Sequence, residues 1–121
     1  MRNALLAAFA AIGLLAFDRQ AEAHAHLTRA EPPVGGTVGS APSQVEITFS
    51  EAVEPRFSTI SVMDASGKQV DRHDIHLDGG DSRRLAVSLG PVGPGQYKVI
   101  WHATSVDTHK TEGDFTFTVA P

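Results

Sequence analysis

Cysteine is absent from the 121 residues of this chain. Its absence excludes disulfide staples and every thiolate metal site. Blue-copper electron transfer, which needs a cysteine sulfur, is excluded with them whatever the fold. Methionine is almost as scarce: Met1 and Met63 are the only two, so a thioether cage for a soft ion lacks donors. Lys and Arg together number 10 against 14 acidic residues, for a formal charge of −4. No basic stripe is present, which argues against nucleic acid and anionic membrane surfaces as partners. The chain also lacks a Gly-rich phosphate loop, a Ser-centred nucleophile elbow and an H-E-x-x-H helix. No pair of carboxylates sits in an apolar stretch that would push their pKa values apart. Catalysis therefore has little to build on, and the chain is not expected to be an enzyme.

What is present begins with a leader. Met1-Arg2-Asn3 is short and positively charged, Ala4 to Phe17 is an unbroken apolar run, and Asp18-Arg19 ends it. Small residues at Ala21 and Ala23 then form an A-x-A-like cleavage site. That layout predicts a secretory signal peptide over residues 1–23. The apolar run is too short for a comfortable membrane span, which takes roughly 20 residues. Cleavage after Ala23 makes His24 the first mature residue; a cut after Ala25, exposing His26, ranks second. The leader removes Arg2 and Arg19 together with Asp18 and Glu22, so the mature charge stays at −4. Residues 24–121 suffice for one small domain and not two. The last strand-like run reaches almost to Pro121, which leaves no stretch for a C-terminal membrane anchor.

Within residues 24–121 no segment shows sustained helical periodicity. Short alternating runs recur between Gly, Pro, Asp and Ser punctuation. Val45, Ile47 and Phe49 alternate with polar Glu46, Thr48 and Ser50, as in a half-buried strand. Ile60 with Val62, a short run near Val70, and Leu85, Val87 and Leu89 repeat the pattern. The strongest strand places Tyr97, Val99, Trp101 and Ala103 on one face, and Phe115, Phe117 and Val119 close the domain. About seven short strands predict an all-β fold, a seven-stranded antiparallel Greek-key sandwich or barrel, immunoglobulin- or cupredoxin-like. Tyr97, Trp101, Phe49, Phe115 and Phe117 read as a packed core.

Histidine is where chemistry concentrates, with six in the chain. At a free terminus, the α-amine and Nδ1 of His24 close one chelate ring on a metal ion, which no internal histidine can do. Asp107-Thr108-His109 is the second element. In an extended segment residues i and i+2 face the same way, so the Asp107 carboxylate and the His109 imidazole can converge on one ion. The segment lies between two predicted strands, in a loop of the kind that carries function. His26 shares a side with His24 if the start is extended. His73 and His76 fall in a polar loop and read as exposed and uncoordinated, with a weak second site as the minor alternative. His102 reads as a surface residue.

These features add up to a resemblance. The start His24-Ala25-His26-Leu27, the Pro32/Pro33–Gly36 and Pro42 turns, and Phe49-Ser50-Glu51 resemble the CopC copper-resistance family. So do Tyr97 to Trp101, Ser105-Val106-Asp107-Thr108-His109, and the closing Gly113-x-Phe115-x-Phe117-x-Val119. The resemblance covers nearly all of residues 24–121, in order. It implies a periplasmic copper-binding protein in which His24, Asp107 and His109 hold one Cu(II) per chain, with Glu51 beside the amine as a supporting group. It also suggests a CopD-like inner-membrane protein as partner, and the chain is expected to be a monomer. Some members carry a Met-rich Cu(I) loop; here Met63 stands alone, and residues 63–81 offer His73 and His76 instead.

The ligand chemistry agrees with this reading. Nitrogen and carboxylate donors suit tetragonal Cu(II), which heads the divalent affinity series. Model amines titrate near about 7.7–8.0 and imidazoles near about 6.5, so binding releases protons and weakens in acid. A copper carrier or buffer in copper resistance or homeostasis is the leading function. A histidine-brace oxidative enzyme and a metal-free sandwich module for protein contact are the alternatives. The small size leaves no extended flat face for a polysaccharide, and the Asp107 charge favours holding Cu(II) over cycling it.

Overall fold

The computed structural model describes residues 24–121. The expected leader and its cleavage site lie outside the described residues. Alternation in the sequence becomes two facing layers. In β3 (Gln44–Phe49) the burial alternates strictly, with Val45, Ile47 and Phe49 inside. The same period holds in β7 (Gly95–Thr104), which turns Tyr97, Val99, Trp101 and Ala103 inward. In β8 (Lys110–Val119) the inward residues are Phe115, Phe117 and Val119. Because successive side chains point to opposite faces of a strand, each sheet gives one apolar face to a shared core.

The remaining strands are β1 (Leu27–Glu31), β2 (Thr37–Val38), β4 (Thr59–Met63), β5 (His76–Leu77) and β6 (Arg84–Ser88). The first sheet has the order β1-β3-β6-β5 and the second β2-β8-β7-β4. Neighbours that are not consecutive in sequence, such as β1–β3 and β3–β6, require the chain to cross between sheets. Among the described residues no helix is long and apolar enough to cross a membrane.

The expected β-sandwich is present, with two differences in detail. Among the described residues there are eight strands and not seven, and β2 runs parallel to β8, pairing Thr37 with Thr118 and Val38 with Val119. Both short strands, β2 and β5, span two residues and lie at sheet edges. A strand that short has no room to display a period. The run near Val70 forms no strand of its own; it makes isolated bridges from Gln69 to Met63 and from Asp71 to Leu89.

Two features place the functional end. β7 and β8 are paired along their full length, from Gly95↔Val119 to Thr104↔Lys110, so the five-residue loop between them stands on a rigid hairpin. Trp101 lies over Gly113 in the opposite strand. A Cβ on Gly113 would come within 2.6 Å of the Trp101 ring, so only glycine lets the indole lie flat there. Trp101 then meets Phe49 edge-on, with ring centroids 5.2 Å apart, which ties the hairpin to the other sheet.

Candidate metal centre

The start of the described chain is held by hydroxyl groups and one small buried residue. Ala25 is 1% exposed and belongs to the core. Its carbonyl accepts from the Thr111 hydroxyl of β8 at 2.9 Å. Ser50, at the end of β3, receives the His26 N–H on its hydroxyl at 2.9 Å, and its own N–H donates to the His26 carbonyl at 2.8 Å. The same hydroxyl lies 3.4 Å from the His24 carbonyl. With Ala25 turned into the core, the period of an extended segment turns His24 and His26 away from it.

The D-x-H segment is built in the β7–β8 loop. Thr108 adopts a left-handed backbone, φ 77, and its N–H donates to the Ser105 carbonyl at 2.8 Å. Ser105 N–H closes the loop on the His109 carbonyl at 2.9 Å, and Val106 N–H anchors it to Ala52 at 3.1 Å. The result sets His109 Nδ1 3.2 Å from Asp107 Oδ1, both side chains about half exposed. Asp107 is held below the usual aspartate range, first by the Ser105 hydroxyl and then by the backbone N–H and ring of His109.

These two pieces meet at one end of the sandwich. The rings of His24 and His109 lie 4.6 Å apart between centroids, tilted by 34°. His24, His109 and Asp107 are therefore neighbours in a row, with His109 in the middle. Among the described residues, no three His, Asp or Glu groups are drawn around a common point.

The other sequence candidates stand elsewhere. Glu51 is half-buried next to Ser50, with no hydrogen bond or ion pair to His24. His26 is exposed. His73 has φ 59 and is 71% exposed, 3.8 Å from Asp71. His76 Nδ1 contacts the Asp74 carbonyl at 2.7 Å. His102, on the outer face of the second sheet, pairs with Glu112 at 3.3 Å. Sequence reasoning missed the residues that hold the donors: Ser50, Ser105 and Thr111. Each acts through single hydrogen bonds, and nothing in their spacing sets these three apart.

Fold and site together define a small β-sandwich with a histidine and carboxylate face at one end and no sulfur beside it. A CopC domain model matches residues 27–120, which takes in Asp107 and His109 and stops short of His24. The chain belongs to the CopC family. Protein YobA of Escherichia coli strain K12 is 38% identical over 98 residues, covering 80% of this chain and 79% of that one. Copper resistance protein C of Pseudomonas syringae pv. tomato is 32% identical over 98% of this chain and 96% of its own. The crystal structure of CopC from Methylosinus trichosporium OB3b superposes with a TM-score of 0.75 at 33% identity, covering 81% of this chain and 95% of that chain. A further relative, the copper transport protein CutJ of Bacillus subtilis, is 33% identical over 80% of this chain but only 18% of its own length.

Proposed function

We propose that residues 1–23 are removed on export and that the mature protein, beginning at His24, binds one Cu(II) ion in the periplasm. It acts there as a non-catalytic copper carrier or buffer. The observation that carries this reading is the meeting of His24 with His109, and of His109 with Asp107, at one end of the fold. Cleavage frees the amine, which joins Nδ1 of His24, the His109 imidazole and the Asp107 carboxylate. Nitrogen and oxygen donors of this kind suit Cu(II). Asp107 is already held as the anion, so metal meets a charged ligand without first displacing a proton from it. Glu51, on the connection that leaves Ser50, is the group nearest in sequence to the His24 clamp and supports the amine side.

The relatives' names join this chain to copper resistance and copper transport. In CutJ the matching region is a small part of a longer chain, which favours a larger partner for this domain; a CopD-like inner-membrane protein is the one proposed. The monomer is taken as the working unit. PcoC of E. coli, a similar structure with a TM-score of 0.70, is described as a methionine rich copper resistance protein. Met63 alone follows the leader here, and a Cu(I) site of comparable strength is therefore not proposed.

Mass spectrometry of the exported protein, followed by Cu(II) and Cu(I) titration, tests the reading. A first residue of His24 and one Cu(II) per chain are expected. Tight Cu(I) binding that survives His24→Ala but is lost in Met63→Leu would overturn it.

A further inference from the structure

The β7–β8 loop contains a buried serine that the proposed ligand set does not use. Ser105 is 1% exposed, while Asp107 and His109 stand half out in solvent. Its hydroxyl donates to Asp107 Oδ1 and lies 3.3 Å from the His109 carbonyl. A hydroxyl has one proton, and an ionised carboxylate is the stronger acceptor, so the proton goes to Asp107. The same Oδ1 receives the His109 N–H at 3.4 Å and lies 3.2 Å from His109 Nδ1. Several donors thus converge on one carboxylate oxygen, whereas Oδ2 has no hydrogen-bond partner among the described residues.

The hydroxyl is not what closes the loop. Ser105 N–H already binds the His109 carbonyl, and Thr108 N–H binds the Ser105 carbonyl. Ser105 also bridges to Val53 through its backbone. These are backbone bonds, which replacing the side chain by alanine leaves in place. What the side chain alone supplies is the grip on Oδ1.

We infer that Ser105 is a positioning residue for copper: by fixing Asp107 Oδ1 against His109 Nδ1, it leaves Asp107 Oδ2 and His109 Nε2 as the atoms presented to the ion. The inference rests on the Cu(II) function proposed above. It fits a general pattern in which groups behind the ligands set their orientation, and losing one costs about 10–100-fold in metal affinity.

A double-mutant cycle on the mature chain beginning at His24 tests it, with Cu(II) affinity read by competition. Ser105→Ala is expected to weaken binding about tenfold or more while the nitrogen count in the electron paramagnetic resonance spectrum stays unchanged. In an Asp107→Ala background the same change is expected to have no further effect, because Ser105 then has no carboxylate to hold. Ser105→Gly removes the hydroxyl without adding volume, and repeats the comparison if the alanine variant fails to fold. An equal loss in both backgrounds, or wild-type affinity in the single variant, overturns the positioning role and leaves the Cu(II) function standing. If the unsubstituted mature chain binds no Cu(II), the function itself falls and the positioning role falls with it.

Discussion

Under the proposed function, His24 differs from the five other histidines in becoming the first residue of the mature chain. A terminal histidine offers two nitrogens from one residue, and a single residue placed ahead of it removes one of them. Adding Gly before His24 is expected to lower Cu(II) affinity by orders of magnitude; equal affinity with and without the extra residue would remove the amine from the ligand set. His109→Ala takes away the central imidazole of the row and is expected to be similarly severe. Asp107→Asn is expected to be milder, since an amide oxygen keeps the geometry and loses only the charge attraction. His73, 71% exposed beside Asp71, and His102, paired with Glu112 across the outer face, are expected to matter little as alanine. Stability of the metal-free protein should shift by no more than about 0.5 kcal/mol in each of the four substitutions. Copper competition checks the series, and a His73→Ala loss equal to that of His109→Ala would move the site to the other loop.

The hairpin of β7 and β8 carries the Asp107–His109 half of the proposed donor set, and Trp101 lies closely against Gly113 within it. Gly113→Ala pushes a methyl to within 2.6 Å of that ring; overpacking of this kind costs roughly 1–3 kcal/mol. A lower urea midpoint with an unchanged slope is the expected result, and an unchanged midpoint would show that the indole can move aside. The central strands were legible because burial imposes a period of two on β3, β7 and β8, so their apolar residues had to alternate. β1, with the sequence LTRAE, buries only Ala30 and leaves no such trace; β2 and β5 are too short to leave one. The same division runs through the candidate site. Asp107 and His109 were legible as a pair from their D-x-H spacing, but the structure joins them through a turn with Thr108 at φ 77 and not through the extended segment expected, whereas the approach of His24 to His109 is a contact between distant segments that local spacing does not encode. The hydroxyls of Ser50, Ser105 and Thr111 act through single hydrogen bonds, which have no period at all.

Acid sensitivity is a property of the whole molecule. Asp64, Asp74 and Asp107 are each held below the ordinary 3.8, chiefly by the hydroxyls of Ser66, Ser88 and Ser105 respectively. A carboxylate depressed in this way contributes stability above its unfolded value and loses it as pH falls through the folded one. Glu46 runs the other way: Asp78 beside it raises its pKa above 4.5, so its contribution is present below 4.5 and is lost as pH rises through the folded value. Three independent groups outweigh that one interaction. The urea midpoint of the metal-free protein is therefore expected to fall below about pH 4, and a midpoint that stays flat from pH 4 to pH 3 would contradict this. Topology adds a consequence of another kind. The hydrogen bond from Thr111 to the Ala25 carbonyl joins residues 86 apart in sequence, so the seat of the His24 segment is complete only once the final strand is in place. Closures over such distances form late, because the entropy of the intervening loop must first be offset. Under the proposed function, metal capture then reports that folding is complete: a chain still unfolded keeps its two half-sites far apart and lets copper pass.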